Sequence, residues 1–377
     1  MCLPEKRAFR RSLLRWFTSH QRDLPWRKNR DPYRIMVSEF MLQQTRVETV
    51  LPYFERFLKL FPTLPDLARA PLQRVLRAWA GLGYYARARN LQAAAQKIGR
   101  DYDGKIPSKK KDLLSLPGFG PYTAGAVASM AFNEPVAALD GNVNRVFTRL
   151  LDIRGKESGV RKKKMLKGTL EDLIPRRRAS AFNQALMDLG ALICTPARPR
   201  CPSCPINRFC TRRGTRDQEP KRNGQKFRKE VWAVALVEHD GRFLLHRREG
   251  KGLLAGLWQF PIVVVNPGED IARAGEKKEQ QAREALKKGV AENFGVRIKI
   301  KYSLAAREHS FTHIHLTMKP FFCSLVETFP IQPAPQQVRW IKPSGLSYYP
   351  ISKAMQKMIA FLKKGFSPNM LVKFYKN

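Results

Sequence analysis

Two carboxylates stand in surroundings that should give them different protonation states. Glu39 shares a helical stripe with Ile35, Met36 and Leu42, so burial should raise its pKa above the usual value of about 4.3. Asp140 follows an apolar run and opens the next helix, where it fits an N-cap and where the helix dipole favours an anion. One neutral and one charged carboxyl group suit glycosidic-bond cleavage, which needs an acid for the leaving group and an anion beside the oxocarbenium ion.

Four of the six cysteines lie in the single stretch CTPARPRCPSCPINRFC, with the spacing C-x6-C-x2-C-x5-C. In an intracellular protein, clustered cysteines indicate metal binding more than disulfides. The prolines between them keep the stretch irregular, so that the thiolates can converge. Zinc and an iron–sulfur cluster both accept four thiolates, and the chemistry alone leaves both open. The candidate ligands are Cys194, Cys201, Cys204 and Cys210.

The residues from about 4 to 193 show apolar spacings of three and four almost throughout, which predicts a compact domain of many short helices. Within it, LPGFGPYTAG interrupts the pattern. Gly118 and Gly120 allow a tight turn, and Pro121 fits the first position of the next helix. Bare backbone N–H groups and a helix N-terminus form a phosphate-binding seat. The pattern resembles the helix-hairpin-helix of DNA repair proteins.

The composition changes after Cys210, and three segments are predicted: a helical domain at 1–212, a charged linker at 213–229 and a second domain at 230–377. In the second domain, VWAVALVEHDGRFLLHRR predicts two strands around a His-Asp-Gly turn. Further strand patterns and two helical patterns follow. We therefore expect an α/β domain with a mixed or antiparallel sheet.

The charge indicates a polyanionic partner. The 377 residues carry 70 Lys and Arg against 31 Asp and Glu, a net charge of +39, which costs self-repulsion in a compact chain. Nucleic acid is the favoured partner and a membrane surface the alternative. No apolar run approaches the ~20 residues of a membrane-spanning helix, and the N-terminal residues predict an amphipathic helix. We expect no signal peptide, and an intracellular monomer of the cytoplasm or nucleoid that does not bind membranes.

Six segments carry a family resemblance: VSEFMLQQTRVETVLPYFERF, WAGLGYYARARNL, LPGFGPYTAGAV, ALDGNVNRV, FNQALMDLGALIC and the four-cysteine stretch. They resemble the MutY adenine DNA glycosylases of the endonuclease III superfamily, over nearly the whole chain. The resemblance implies an all-α glycosylase domain followed by an α/β Nudix-like domain. The cysteine spacing is the family's 4Fe–4S pattern, so the resemblance favours that cluster over zinc.

The same resemblance implies roles for individual residues. Glu39 would protonate N7 of a flipped adenine, and Asp140 would stabilise or transiently trap the sugar cation. Asn142 would support the attacking water. The gap that the flipped base leaves in the stack would be filled by Gln43, Gln44 and Thr45, and Tyr84 would wedge beside the orphan base. Extruding a base costs least at a mispair.

Position 122 bears on the reaction type. Lyase members of the superfamily carry a lysine there, whereas this chain has Tyr122. A phenol cannot form a Schiff base, so the resemblance implies a monofunctional glycosylase that uses water. In the second domain, the Nudix box keeps Arg283 and Glu284 but lacks the paired glutamates that a divalent metal needs. A recognition module without hydrolase activity is expected, with Phe311, Thr312 and His313 reading 8-oxoguanine.

Three functions remain to be compared. The favoured one is removal of adenine mispaired with 8-oxoguanine, or with guanine, in double-stranded DNA. A bifunctional glycosylase and lyase for pyrimidine lesions is the second, and a non-catalytic DNA-binding or redox-sensing protein is the third. The candidate phosphate contacts are Arg87, Arg89 and Arg145.

Overall fold

The computed structural model describes residues 3–153, 159–213, 228–249, 252–265, 276–311, 313–330 and 338–363. The chain divides into two compact units. The helical unit comprises Met1–Pro71 and Ala86–Arg222, and the sheet unit comprises Leu72–Tyr85 and Asn223–Asn377. In the described ranges, no helix is both long enough and apolar enough to span a bilayer.

The described residues among the first two hundred form eleven α-helices, as the apolar spacing predicts. Most of them belong to the helical unit, where α2 packs against α8, and α11 packs against α1, α8 and α9. The fifth helix belongs to the sheet unit. The helices are α1 (Leu3–His20), α2 (Pro32–Leu42), α3 (Val47–Leu60), α4 (Leu64–Arg69), α5 (Leu72–Ala78), α6 (Ala86–Asp101), α7 (Lys110–Leu113), α8 (Pro121–Phe132), α9 (Gly141–Leu150), α10 (Gly159–Leu173) and α11 (Ala179–Leu192).

Local sequence chemistry sets the beginnings of the helices that carry the candidate site. Asp31 caps α2 by accepting from the backbone N–H groups of Tyr33 and Arg34, and Asp140 caps α9 by accepting from that of Val143. Helix α2 is buried on nearly all sides rather than on one stripe, because it lies between α3, α6 and α8. Its only buried carboxyl group belongs to Glu39.

The turn before α8 uses its two glycines differently. Gly118 has a φ of +76°, and a Cβ there would lie 2.6 Å from Asn90 Cβ and 2.8 Å from Phe40 Cε1. Gly120 has a φ of −84° as the N-cap of α8, and a Cβ there would meet nothing within 4 Å. The positive φ of the turn therefore lies at Gly118, while Gly120 is the N-cap of α8.

In the sheet unit, the described residues form a mixed sheet of eight strands, which confirms the predicted α/β class. Its main path runs β3-β2-β1-β7-β5, while β4 pairs with β1, β6 with β7 and β8 with β2. Strands β1 and β7 are parallel, and the predicted turn at Asp240–Gly241 connects β1 to β2. The strands are β1 (Arg228–His239), β2 (Arg242–Arg247), β3 (Trp258–Gln259), β4 (Ile262–Val265), β5 (Val296–Ser303), β6 (Arg307–Ser310), β7 (Ile314–Thr328) and β8 (Val338–Ile341).

Two helices complete the sheet unit: α12 (Glu276–Phe294) and α13 (Lys353–Lys363). Apolar residues of α12 pack on β1, β5 and β7 to form one core. Helix α5 is also part of this unit, where the Gln73 amide donates to Gly256 O at 3.0 Å and accepts from Trp258 Nε1 at 3.0 Å. Leu76 of α5 is fully buried. The two compact units are therefore not separated by a single boundary in the sequence, since Leu72–Tyr85 belongs to the sheet unit.

Candidate active site

A basin of about 910 Å³ in the helical unit collects most of the predicted catalytic residues. The end of α2, the turn after it and the beginnings of α8 and α9 form its walls. Of the predicted site residues, those that line it are Glu39, Gln43, Gln44, Thr45, Tyr122, Asp140 and Asn142. Residues separated by about 100 positions in sequence therefore line the same basin.

Glu39 lies in this basin with only 3% of its surface exposed. The hydroxyl group of Tyr122 donates to its Oε2 at 2.7 Å. Burial raises the pKa of Glu39 to about 7, with a further contribution from the negative charge of Asp140, while the Tyr122 hydrogen bond and Arg27 act in the opposite direction. The carboxyl group can therefore hold a proton near neutral pH, as its apolar surroundings predict.

Asp140 differs from the expectation in one respect. Its carboxylate accepts from the backbone N–H of Val143 at 2.6 Å and from Asn142 Nδ2 at 3.0 Å, as an N-cap should. Burial nevertheless raises its pKa, against the lowering effect of these donors and of Arg145. The sequence predicts that the helix N-terminus favours the anion, and the structure adds desolvation, which acts on the pKa in the opposite direction and is the larger influence.

Asn142 is held in turn by Arg145. The guanidinium of Arg145 donates to Asn142 Oδ1 at 2.8 Å and to the carbonyl oxygens of Gly190 and Cys194 at 2.7 and 2.8 Å. These three hydrogen bonds orient the residue beside Asp140. A phosphate contact for Arg145 stays a prediction.

The turn after α2 presents Gln43, Gln44 and Thr45. Gln44 is exposed and has a φ of +56°, a conformation that non-glycine residues adopt rarely. The side chain of Gln43 donates to Thr123 Oγ1 at 3.1 Å. Arg87 is only 6% exposed and donates to the carbonyl oxygens at the end of α2, including that of Gln43. Arg87 thus fixes this turn from inside, and its prediction as a phosphate contact is wrong.

Sequence reasoning missed an ion-pair cluster at the edge of the basin. Asp188, whose side chain is fully buried on α11, pairs with Arg22 at 2.7 Å and with Arg27 at 2.6 Å. Both arginines line the basin, and the charge of Arg27 acts to lower the pKa of Glu39. The available signal was a charged residue inside the apolar run FNQALMDLGALI, since a buried charge requires a partner.

The four predicted metal-binding cysteines line one cavity with the apolar residues of α9 and α11. Burial, with smaller contributions from the other three cysteines, raises the pKa of Cys204 to about 11. Arg149 Nη1 lies 3.3 Å from Cys194 Sγ. Within the described part of the chain, no three Cys, His, Asp or Glu side chains are placed to hold a single metal ion.

Other predicted site residues lie elsewhere. The Gly118–Gly120 turn is in the helical unit but does not line the basin. Tyr84 belongs to the sheet unit, with a φ of +48° and 43% exposure. Phe311 and His313 lie at the β6–β7 turn of the same unit, where the Phe311 N–H donates to Ile314 O at 2.8 Å. Thr312 lies outside the described residues.

Comparisons with known proteins agree with this geometry. The model of the HhH-GPD superfamily of base excision DNA repair proteins matches residues 37–176, and the NUDIX domain model matches residues 232–361. The chain is 34% identical to the adenine DNA glycosylase of Homo sapiens, over 94% of this chain and 74% of the relative. It is 30% identical to that of Buchnera aphidicola subsp. Acyrthosiphon pisum, over 95% and 99%.

A solved structure also resembles the chain. A thermostable thymine-DNA glycosylase is 31% identical, with a TM-score of 0.51, over 55% of this chain and 96% of that chain. The superfamily match, the Nudix match and the identity to relatives over most of their length point to one enzyme class. The chain belongs to the adenine DNA glycosylases, enzymes of base excision repair.

Proposed function

We propose that this glycosylase removes adenine mispaired with 8-oxoguanine, or with guanine, by hydrolysis alone. The observation that carries the proposal is the buried Glu39, whose pKa is raised to about 7 and which faces the same basin as Asp140. A basin of about 910 Å³ also has room for an extruded base. Extrusion of the base is required because the glycosidic bond of a stacked nucleotide is out of reach.

In the proposed mechanism, neutral Glu39 gives its proton to N7 of the flipped adenine. The C1′–N9 bond then breaks and its electron pair goes to the protonated base, leaving an oxocarbenium ion on the sugar. Asp140 stabilises that cation from the position where Asn142 and the Val143 N–H hold its carboxylate. Water adds to C1′ and gives a proton to the Glu39 carboxylate, which restores the acid, and the product is an abasic site.

The monofunctional assignment is supported by what faces the basin. Tyr122 occupies the position of the lyase lysine, and its hydroxyl group donates to Glu39. Burial raises the pKa of Tyr122 well above the usual value, so the phenol stays neutral and acts as a donor rather than a nucleophile. Of the described residues that line the basin, none is a lysine. Water is the remaining nucleophile.

A 4Fe–4S cluster is proposed for Cys194, Cys201, Cys204 and Cys210. The four thiols line one cavity, and four thiolates are the ligands that such a cluster takes. The preference for the cluster over zinc rests on the cysteine spacing. Arg149 is 4% exposed and lies beside the Cys194 sulfur atom. When bound, the cluster would cross-link the loop after α11.

The sheet unit is proposed to recognise 8-oxoguanine through Phe311, Thr312 and His313 and to lack hydrolase activity. Of the glutamates in the Nudix box region, Glu279 is paired with Arg283 and Lys319. Glu284 has a side chain that is 57% exposed and paired with Lys287. These carboxylates are engaged with cations, which does not suit a site for a divalent metal.

Double-stranded DNA is the proposed partner of a monomeric enzyme. Tyr84 is proposed to lie beside the orphan base, and the Gln43–Gln44–Thr45 turn to fill the vacated stack. The open space above Gly120 suits a close approach by a phosphate group to the N-terminus of α8. Because the net charge is +39, affinity for undamaged duplex should fall steeply as salt is added.

The test is a single-turnover assay on a duplex with one 8-oxoguanine:adenine pair, sampled with and without alkali, beside a guanine:adenine duplex. Strand breaks should appear only after alkali and faster for the oxidised pair. Glu39→Gln and Asp140→Asn should abolish cleavage and keep mispair binding. Glu48→Gln, at an exposed position on the wall of the same basin, is the matched control and should remain active. Breaks without alkali would refute the monofunctional assignment.

The recognition segment needs a separate test. Alanine at Phe311, Thr312 or His313 should reduce the rate ratio between the 8-oxoguanine and guanine duplexes and leave guanine:adenine cleavage nearly unchanged. His239→Ala, at the β1–β2 turn, is the control within the same unit. An unchanged ratio in all three variants would exclude the segment from recognition.

A further inference from the structure

A second surface of the sheet unit carries both positive charge and aromatic rings. It is an open trough of about 480 Å³, here called the β8 trough. Strand β8, which pairs with β2, and the residues after it form its floor and sides. Its lining includes Arg242, Arg339, Trp340, Lys342, Tyr348 and Tyr349.

The trough is cationic. Arg242, Arg339 and Lys342 are all exposed, and none of the described lining residues is acidic. The guanidinium of Arg77, in the same unit, lies 5.0 Å from the centroid of the Tyr348 ring and adds a fourth cation. This arrangement attracts a ligand with several negative charges.

The aromatic side chains are held in place while one ring remains accessible. Tyr349 packs edge-on against Trp258 at 5.0 Å, and Arg339 donates to the Tyr349 hydroxyl group at 3.4 Å. Trp340 packs against His239 at 5.7 Å. Tyr348, by contrast, is 66% exposed. A large exposed ring beside fixed cations offers a stacking surface for a base.

The trough is separate from the proposed 8-oxoguanine segment. Strand β8 pairs with β2, whereas β6 pairs with β7, and β1 lies between β2 and β7 in the sheet. In a duplex, each base is stacked between its neighbours, so its flat face is not available to the Tyr348 ring. The openness of the trough and its spread cations suit a polymer with repeated phosphates rather than an enclosed small molecule.

We propose that the β8 trough binds an unpaired DNA strand, with phosphate groups on Arg242, Arg339 and Lys342 and a base stacked on Tyr348. Arginine retains further N–H donors when one is used within the protein, so the bond from Arg339 to Tyr349 does not exclude a phosphate contact. The trough thereby gives the enzyme a contact with single-stranded DNA that is independent of its excision basin.

The test uses the full-length protein and fluorescently labelled oligothymidine, with saturating undamaged duplex present to occupy the duplex-binding surface. Tyr348→Ala should weaken strand binding between about fivefold and a hundredfold, because stacking is lost. Tyr348→Phe keeps the ring and should bind normally. The double variant Arg242→Glu/Lys342→Glu should weaken binding about tenfold or more at low salt.

The matched control is Lys299→Glu/Lys301→Glu, the same charge change on exposed positions of β5, at the other end of the sheet path. It should reduce binding by less than about twofold. Photocrosslinking with iodouracil in the strand should map to Tyr348 or Trp340, and adenine excision by Tyr348→Ala should stay normal. Three results would each overturn the proposal. They are an equal loss of strand affinity in both double variants, crosslinks confined to other regions, and displacement of the labelled strand by thymidine monophosphate as effectively as by unlabelled strand.

Discussion

Replacing Glu39 by glutamine should stabilise the helical unit at alkaline pH and have little effect at acidic pH. Ionisation of the carboxyl group is unfavourable in the fold, since burial raises its pKa from 4.5 to about 7. The folded state therefore holds this proton more tightly than the unfolded state, and wild-type stability falls as pH rises through that interval. At about 1.4 kcal/mol per pKa unit, the cost above pH 8 is about 3 kcal/mol.

Calorimetric melting of the wild type and Glu39→Gln at pH 5 and pH 8.5 measures this cost. Glutamine cannot ionise, so the variant should melt roughly 6–12 °C higher than the wild type at pH 8.5. At pH 5 the difference should shrink to less than about 1 kcal/mol. Glu55→Gln, an exposed change on α3, is the isosteric control and should show no such pH-dependent gain. The same proton governs the reaction, so wild-type excision should decline as pH rises through about 7.

Equal differences at both pH values, or a glutamine variant that is less stable at pH 8.5, would refute the reasoning. Either result would mean that the ionised carboxylate is compensated in the fold. In that case Glu39 would not hold its proton at neutral pH, and its assignment as the acid would fail with it.

Three further outcomes are expected. Gly190→Ala should destabilise the fold and slow excision, because its Cβ would lie 2.6 Å from the side chain of Asn142, which supports Asp140. The control Gly168→Ala on α10, where a Cβ would meet nothing within 4 Å, should instead stabilise the fold by about 0.5–1 kcal/mol. Thermal melting of both variants measures the difference. Gly118→Ala should cost more than about 2 kcal/mol in denaturant unfolding through backbone strain and two close contacts, whereas Gly120→Ala should fold normally and weaken duplex affinity. Asp188→Asn should cost about 3–5 kcal/mol, because two arginines lose their buried partner; a loss below about 1 kcal/mol would contradict the importance of this ion-pair cluster.

Features that depend on neighbours in sequence were predictable. The cap at Asp140, the turn at Gly118 and the hairpin at Asp240–Gly241 follow from local backbone chemistry, and the structure contains all three. The burial of Glu39 followed from the apolar residues around it. Each of these depends on a few consecutive residues, whose preferences are known.

Features that depend on distant residues were not predictable. The pairs Arg27–Asp188 and Tyr122–Glu39 join residues 161 and 83 positions apart, and nothing local marks them as partners. Arg87 was misassigned for the same reason, since an arginine that caps a buried helix end has the same sequence signature as one that faces solvent. At Asp140, burial also outweighed the hydrogen bonds from Val143 and Asn142 in setting the direction of the pKa shift, a balance that only tertiary structure sets.

The membership of α5 in the sheet unit has a consequence for dissecting the enzyme. A protein truncated after residue 212 would keep α5 but lose Trp258 and Gly256, the hydrogen-bond partners of Gln73. The wedge candidate Tyr84 lies in the same stretch, Leu72–Tyr85. Truncation would therefore disturb the proposed wedge and also remove the proposed recognition segment. A lost preference for 8-oxoguanine could then not be assigned to either one. The two contributions are separable only by point substitutions, so the sheet unit is not an interchangeable cassette.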